Sequence, residues 1–367
     1  MKTPGFWHSD GFIPKLLEPL AQLYKHLGFL ERSFRSKTKI GIPVLCIGNI
    51  VSGGAGKTPI ALSIGRKLSV KHNISFLTRG YGGNTAGPIE VNPDEHSSYE
   101  VGDEALILSE VGSTWVSRNR TAGAIAAKNA GFEIVIMDDG FQNTSLAKTL
   151  SFVIIDGPYG FGNGRLIPAG PLREPIYSGL KRADIIVLVG EANPSIIELL
   201  PNDKPLLRAS LVPDEIGTQL SNNNVIGFAG IGRPTKFLET LEKMNLNIVD
   251  FFPFPDHYRF KESEIRGLYE KATQVDAILV TTYKDMKRIP KSVAHLCQPI
   301  GITVMWEDDG EIQQLLDSVI RKWPKRVNHS ISIRNGSKSF SLGHSKGSSL
   351  GLLLIHSNYY QSTLHQG

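Results

Sequence analysis

A glycine-rich string, GGAGKTP at residues 53–59, follows the apolar stretch IPVLCIGNI. Glycines permit a tight turn whose successive N–H groups point at one anion, and the start of a helix adds partial positive charge. Lys57 can reach the β- and γ-phosphates of a nucleotide, and the Thr58 hydroxyl can ligate Mg²⁺. These features predict a phosphate-binding loop that comprises Ser52, Gly53, Gly54, Ala55, Gly56, Lys57, Thr58 and Pro59.

The loop departs from the strict P-loop pattern at one position. That pattern has a glycine five residues before Gly56, and this chain has Val51 there. The match therefore covers the GGxGKT end of the motif, and a tight structural turn is the alternative interpretation. Pro59 favours a helix that begins here, because an early helical position needs no N–H donor.

An acidic pair follows downstream in EIVIMDDGFQ, residues 133–142. The apolar part predicts a buried strand, and Asp138 and Asp139 come at its carboxyl end. Carboxylates at that end face the same crevice as a P-loop and can bind Mg²⁺ directly or through water. With Thr58, the pair predicts a Mg-nucleotide site, and an acidic turn is the alternative.

Strand-like and helix-like segments alternate from residue 43 onward, which predicts an α/β fold with helices on both faces of an open sheet. We expect a P-loop NTPase-type kinase domain, a smaller second α/β domain and an N-terminal amphipathic helix. The expected boundaries are 1–40 for the helix region, 41–195 for the kinase core, 196–222 for a connector, 223–327 for the second domain and 328–367 for a Ser- and Gly-rich, poorly ordered tail.

The N-terminal segment 14–34 carries apolar residues at spacings of three or four, which predicts one apolar helix stripe. The stripe consists of Leu16, Leu20, Leu23, Leu27, Leu30 and Phe34. Two interpretations are open: the stripe packs on the protein, or the helix lies in a membrane interface next to basic residues.

Composition narrows the class of protein. The chain has 367 residues, a net charge of +5 and only two cysteines, Cys46 and Cys297, in no metal or redox spacing. We expect reduced thiols, no secretory signal, no membrane span and no nucleic-acid surface. The basic excess lies at the two ends of the chain, where it can meet anionic lipid; for the C-terminal end, a solvated tail is the alternative.

Eight strings, in order, resemble the tetraacyldisaccharide 4'-kinases, the lipid A 4'-kinases of Gram-negative bacteria. The resemblance covers about residues 15 to 325. The strings are CIGNIVSGGAGKTP, TRGYGG (78–83), VGDEALIL (101–108), DDGFQ (138–142), GNGRLIPAGPLREP (162–175), FAGIGRPTKF (228–237), FPDHYRF (254–260) and TTYKDMKR (281–288).

The resemblance implies an activity and a place for it. Such an enzyme transfers the γ-phosphate of ATP, with Mg²⁺, to the 4'-hydroxyl of tetraacyldisaccharide 1-phosphate and gives lipid IVA. It implies a peripheral protein on the cytoplasmic face of the inner membrane, bound through the N-terminal helix. We expect a monomer whose substrate is an acylated disaccharide phosphate.

The resemblance also implies residue roles. Asp103 matches the family's catalytic aspartate, and His257 matches its partner. Arg173, like Lys57, is expected to act on the transferring phosphoryl group. Substrate contacts are expected from Arg79, Tyr81 and Glu174, with loop scaffolding as the alternative.

Two positions differ from the family's usual strings. Asn143 stands where the family commonly has His, so no catalytic role is given to it. TTYKD replaces a common TEKD, and Lys284 and Asp285 receive no role.

Three alternatives remain beside this interpretation: a P-loop GTPase or metallochaperone-type NTPase, a kinase or ligase for a soluble substrate, and a non-catalytic scaffold. The first normally needs a guanine-reading NKxD, of which TTYKD is a poor version.

Overall fold

The computed structural model describes residues 4–34, 36–220 and 222–323. Within these ranges, the strands are β1 (Val44–Gly48), β2 (Ile74–Thr78), β3 (Ile89–Glu90), β4 (Thr114–Val116), β5 (Ile134–Asp138), β6 (Leu150–Asp156), β7 (Ile185–Val189), β8 (Leu206–Pro213), β9 (Asn224–Ala229), β10 (Asn247–Pro253), β11 (Ile278–Thr282), β12 (Gln298–Ile300) and β13 (Ile302–Trp306). The expected tail at 328–367 lies outside the described residues.

The helices over the same ranges are α1 (Phe12–Phe34), α2 (Lys57–Ser69), α3 (Ser98–Val101), α4 (Asp103–Leu108), α5 (Arg120–Asn129), α6 (Ile176–Arg182), α7 (Pro194–Ile197), α8 (Glu215–Gln219), α9 (Pro234–Lys243), α10 (Glu262–Gln274), α11 (Tyr283–Met286) and α12 (Asp309–Arg321). None of these helices is both long and apolar enough to cross a bilayer.

The large sheet has the order β13-β8-β7-β6-β1-β5-β2-β4-β3 among the described strands. Neighbours from β8 to β4 run parallel, and β13 and β3 are antiparallel edges. Strands β2, β4 and β5 lie on one side of β1 and β6 to β8 on the other. The winding direction therefore reverses at β1, where ligands of open α/β sheets bind.

Both faces of the large sheet are buried, which explains why its strands are continuous apolar runs. Alternate residues of β1 point to opposite faces of the sheet. Leu45 and Ile47 pack in the apolar cluster that includes α2, and Val44 and Cys46 pack in the cluster on the other face. The predicted α/β fold with a parallel sheet is confirmed. This double burial fixes the carboxyl end of β1, from which the phosphate-binding loop starts.

The small sheet has the order β10-β9-β11-β12 and is parallel throughout. Separate apolar clusters cover its two faces, one around α10 and one around α9. Strands β9 to β12 and these helices correspond to the predicted second α/β domain.

The sheet pairing differs from the predicted boundaries at two places. Strand β8 lies in the predicted connector but pairs with β7 in the large sheet. The apolar string IGITVMW (300–306), which lies within the predicted second domain and has the pattern of one strand, is divided at Gly301 between β12 of the small sheet and β13 of the large one. Helix α12 follows β13, and its Ile312 and Leu316 pack in the cluster that covers α2.

Helix α1 contacts the body of the protein along one face only. Ala21 is fully buried, and Leu17 packs against the same cluster of the large sheet. Arg165 forms ion pairs with Asp10 and Glu18, which hold the helix from the polar side. The apolar stripe faces away: its described side chains, Leu16, Leu20, Leu23, Leu27 and Leu30, are all about half exposed or more.

Candidate active site

The phosphate-binding loop lies between the end of β1 and the start of α2. Gly53 and Gly56 have φ values of +127° and +82°, which residues with a Cβ rarely adopt. Gly56 caps α2, so the free N–H groups of the first helical turn face the loop. Lys57 Nζ lies 3.4 Å from the Gly53 carbonyl oxygen, so the side chain folds back over the loop. This is the geometry of an anion-binding loop.

The acidic pair ends β5, the strand beside β1. Thr58 Oγ1 donates a 3.0 Å hydrogen bond to Asp138 Oδ2, and Asp139 Oδ1 lies 3.7 Å from Lys57 Nζ. Asp139 has a φ of +47°, an unusual conformation for a residue other than glycine. Such backbone strain clusters at functional sites. The structure thus brings the P-loop and both predicted metal ligands together.

The two carboxyl groups of the pair differ in electrostatics. Burial, aided by the Glu104 carboxylate, raises the pKa of Asp138 to about 7. Burial would also raise the pKa of Asp139, but Lys57 and Arg173 offset it and lower that pKa to about 2. Asp139 is therefore a fixed anion, whereas Asp138 is a site where added positive charge is favourable.

The string GPLREP runs antiparallel beside the chain that leads into the loop. Ser52 N–H donates to the Pro171 carbonyl at 2.7 Å, and Arg173 N–H donates to the Ile50 carbonyl at 2.8 Å. The Arg173 guanidinium then reaches Asp139 Oδ1 at 2.8 Å. Arg173 is thus held at the phosphate site, as its predicted role requires.

Glu174, expected from the resemblance to contact substrate, is 2% exposed. It accepts a hydrogen bond from Gln142 Nε2 at 3.0 Å and forms an ion pair with Arg182. Gln142 follows the acidic pair, and Nε2 also donates to the Asn49 carbonyl at 2.8 Å. In this structure Glu174 supports the turn behind the site.

Asp103 is the first residue of α4 and is 2% exposed. Its Oδ1 lies 3.7 Å from His257 Nδ1, which comes from the loop after β10 of the small sheet. His257 has a φ of +57°, held by a 2.9 Å hydrogen bond from its N–H to the Gly230 carbonyl. The predicted pair of Asp103 and His257 is therefore assembled. Asp103 comes from a helix of the large-sheet part of the chain, and His257 comes from a loop of the small sheet.

Cations set the charge state of this pair. Burial alone would raise the pKa of Asp103, but Lys284 and Arg288 outweigh it and keep that pKa below its ordinary value. Burial, with the same two cations, lowers the pKa of His257. At neutral pH, Asp103 is a carboxylate and His257 is a neutral imidazole.

The string TRGYGG packs back to back with VGDE. A Cβ on Gly83 would lie 2.6 Å from the Glu100 carbonyl oxygen, and one on Gly102 would lie 2.5 Å from the Tyr81 carbonyl oxygen. Tyr81 is 63% exposed, and its ring centroid is 5.2 Å from that of His257. Arg79 is also exposed. Tyr81 therefore lies beside His257 with most of its side chain open to solvent.

Several residues of the site were not found from the sequence. Lys284 donates to Glu104 at 2.8 Å, and Arg288 contacts Asp103 directly. Arg120 is buried near the acidic pair, and this burial lowers its pKa to about 10. The string TTYKDMKR was noticed but given no role, because nothing local in it indicates which carboxylate its cations meet.

A second link joins the small sheet to the phosphate-binding loop. Asp156 ends β6, is 6% exposed, and accepts hydrogen bonds from Arg233 at 2.5 Å and Lys236 at 3.0 Å. Arg233 also lies 3.5 Å from the Gly54 carbonyl. Asp156 is an acid at the carboxyl end of a strand next to β1, a position that could have been recognised from the sequence.

Asn143, which replaces the family's common His, forms a turn. Its Oδ1 accepts hydrogen bonds from the Leu146 N–H and the Ser145 hydroxyl, both at 3.2 Å. The side chain is therefore engaged by its own loop, as short amides commonly are.

The donors at the carboxyl ends of β1 and β5 fit Mg²⁺. Thr58 and Asp138 offer hydroxyl and carboxylate oxygens, which are hard ligands of the kind Mg²⁺ prefers. Their 3.0 Å separation suits two neighbouring ligands of one ion. Thr58, Asp138 and Asp139 can thus hold the metal of a nucleotide complex.

A P-loop at the switch point of a parallel sheet, an acidic pair beside it and a carboxylate with an imidazole opposite define a P-loop phosphotransferase. The model of the family "Tetraacyldisaccharide-1-P 4'-kinase" matches residues 13–321. The chain belongs to this family.

Individual relatives agree with the family model. The chain is 43% identical over 325 residues to the tetraacyldisaccharide 4'-kinase of Rhodospirillum rubrum, covering 87% of this chain and 98% of the relative. It is 43% identical over 323 residues to that of Paramagnetospirillum magneticum, covering 87% and 99%. The crystal structure of LpxK from Aquifex aeolicus with ATP is similar in fold, with a TM-score of 0.68, 24% identity, and coverage of 84% of this chain and 100% of that one.

Proposed function

We propose that this chain is a transferase that moves the γ-phosphate of ATP to the 4'-hydroxyl of tetraacyldisaccharide 1-phosphate and so makes lipid IVA. The observation that carries the proposal is the pairing of Asp103 with His257 in a protein whose loop at 53–59 has the geometry of a phosphate-binding loop. A sugar hydroxyl needs a proton acceptor beside the phosphate donor, and this pair supplies one.

The phosphate-binding loop holds the donor. Its N–H groups and Lys57 bind the β- and γ-oxygens, and Arg173 neutralises charge that develops on the transferring group. Thr58 and the 138–139 pair would hold Mg²⁺, which would supply further charge neutralisation to the phosphates. Asp139 forms ion pairs with both Lys57 and Arg173 and so holds the two cations at the phosphate site.

The acceptor side consists of Asp103 and His257. Asp103 Oδ1 takes the hydroxyl proton as the oxygen attacks phosphorus in line. His257, neutral at pH 7, orients that oxygen and shares the proton. Because the two residues come from different sheets, the pair depends on their approach, which excludes water and limits ATP hydrolysis.

The exposed stripe of α1 supports a membrane-bound acceptor. Five leucines face outward in a row on a helix that the body holds only along its other face. A solvent-exposed apolar row of this kind is a typical membrane-interface surface. We propose a monomer bound peripherally to the cytoplasmic face of the inner membrane, where ATP and an acylated disaccharide phosphate are both within reach.

A transfer assay tests the proposed function. The protein is mixed with Mg²⁺, ATP labelled at the γ-phosphate and tetraacyldisaccharide 1-phosphate in detergent micelles, with Lys57→Ala as the inactive control. Labelled lipid from the unchanged protein, absent with Lys57→Ala, is the expected result. ATP turnover without labelled lipid would overturn the proposed lipid acceptor. The protein would then be a P-loop NTPase or a kinase for a soluble substrate.

A further inference from the structure

Arg288 is the cation in closest contact with Asp103. Its side chain is 4% exposed, and its Nη2 forms an ion pair with Asp103 Oδ2. The same Nη2 lies 3.4 Å from His257 Nδ1. Among the described residues this guanidinium therefore contacts both members of the pair that accepts the proton.

The guanidinium is fixed from its other end. Nη1 donates to the Gly230 carbonyl at 2.8 Å and to Asp285 Oδ1 at 3.1 Å. Asp285 is fully buried and is itself held by the Thr282 hydroxyl, which donates to Oδ2 at 2.7 Å, and by the Gly230 N–H at 3.1 Å. These hydrogen bonds from both sides fix the planar guanidinium group of Arg288 in one orientation.

The same backbone group anchors His257. The Gly230 carbonyl accepts the His257 N–H at 2.9 Å as well as Arg288 Nη1. A Cβ on Gly230 would lie 3.1 Å from Asp285 Oδ1, from the Pro255 carbonyl oxygen and from Tyr258 Cβ, so only glycine fits without a shift. The small sheet thus carries Arg288 and His257 on one rigid platform.

We propose that Arg288, anchored by Asp285, is a positioning residue that binds Oδ2 of Asp103 and thereby leaves Oδ1 as the atom that accepts the acceptor's proton. The inference rests on the proposed function. Oδ1 is the oxygen nearer to His257, at 3.7 Å from Nδ1, so the two oxygens of Asp103 have different tasks. No atom of Arg288 takes part in the chemistry.

Charge follows from the same contacts. Among the described residues, the charged and titratable groups that face Asp103 are Lys284, whose Nζ is 3.8 Å from Oδ2, Arg288 and His257. Glu104 pairs with Lys284 at 2.8 Å, and Asp256 Oδ1 lies 3.8 Å from His257 Nε2. Removing a cation from this set raises the pKa of Asp103 and the pKa of His257. Since activity needs Asp103 ionised and His257 neutral, both rises move the acid limb of the pH–rate profile to higher pH.

The test compares Arg288→Met, Arg288→Lys and the control Arg266→Met. The control removes an exposed arginine of α10 that pairs with Glu262 in the same helix. Transfer of labelled phosphate to the lipid is measured against pH, with ATP binding measured by calorimetry. For Arg288→Met we expect kcat to fall about 10²-fold with ATP affinity unchanged, and the acid limb to move upward.

Arg288→Lys separates charge from geometry. Lysine keeps the positive charge but cannot bridge Gly230, Asp285 and Asp103 at once, so we expect a lower kcat with the acid limb near its original pH. If Arg288→Met does not fold, this variant carries the test alone. Wild-type kcat in either variant, or an unmoved acid limb in folded Arg288→Met, overturns the positioning role. An unchanged protein that labels no lipid overturns the proposed function, and this inference with it.

Discussion

Thr58 and Asp138 are joined by a 3.0 Å hydrogen bond from the Thr58 hydroxyl to Asp138 Oδ2. The two residues are eighty positions apart, but β1 and β5 are adjacent parallel strands with Ile47 opposite Asp138. Their carboxyl ends therefore lie side by side. The register of these two strands therefore places the phosphate-binding loop next to the carboxylate that we propose as a metal ligand.

Removing the donor-side and acceptor-side residues should have different effects. Lys57→Ala and Asp103→Ala are each expected to cut turnover by at least ~10²-fold, because one removes charge at the phosphates and the other removes the proton acceptor. Calorimetry should show weaker ATP binding for Lys57→Ala and unchanged ATP binding for Asp103→Ala. Lys67→Ala is the control, because this partly buried lysine of the same helix pairs with Asp309 and not with a residue of the loop. Near-normal turnover in either variant would remove that residue from the mechanism.

The acidic pair should set the Mg²⁺ requirement. Asp138→Asn and Asp139→Asn replace carboxylates by amides, which are weaker Mg²⁺ ligands, so the Mg²⁺ concentration for half-maximal turnover should rise roughly 10- to 100-fold. It is measured at saturating ATP, with Asp309→Asn as an exposed control. An unchanged Mg²⁺ dependence in both variants would contradict the assignment of the metal to this pair.

The stripe of α1 should control membrane binding without affecting the fold. Leu20 and Leu27 are 54% and 58% exposed, so changing both to Glu should leave the melting temperature unchanged. Each substitution removes about 1.5–3 kcal/mol of the free energy gained when a leucine side chain is buried in the membrane interface. We therefore expect the affinity for anionic vesicles, measured by sedimentation, to fall at least ~10-fold. His26→Glu adds one carboxylate off the stripe, half of the charge in the double variant, and should sediment nearly as well as the unchanged protein. Equal sedimentation of all three would exclude the stripe as the contact.

Two helical glycines should respond in opposite ways to alanine. A Cβ on Gly65 of α2 would overlap the ring of Phe76, so Gly65→Ala should destabilise the protein by about 1–3 kcal/mol. Gly267 of α10 has open space around its Cα, so Gly267→Ala should stabilise it by up to about 1 kcal/mol. Urea unfolding measures both. Equal stability of the two variants would mean that α2 can shift away from β2.

The sequence was most informative where the chemistry is contiguous. The loop at 53–59 and the pair Asp138–Asp139 could be found because a strand, a turn and the functional residues follow one another within a few positions. The confirmed α/β fold was also predictable, since buried parallel strands are continuous apolar runs.

The residues that the sequence did not reveal depend on contacts between distant segments. Nothing in the sequence around Arg288 distinguishes it from other basic residues. Its place in the site is evident only from its buried ion pair with Asp103. The boundary at Gly301 was missed for a similar reason: IGITVMW has the pattern of one strand, and its division between two sheets is decided by the partners β11 and β8. The roles assigned to Arg79 and Tyr81 stay predictions.

The pairing of β8 with β13 has a further consequence for how the protein is built. Pro213, the last residue of β8, stands opposite Ile302, the first of β13, as the two residues nearest the tip of a β-hairpin do. The entire small sheet is therefore inserted where a short turn would otherwise close that hairpin. A nucleotide-binding sheet is complete without the insertion, whereas His257 and Arg288 both belong to it. One insertion at a single turn of the large sheet thus supplies both His257 and Arg288, which face Asp103 from the small sheet's side.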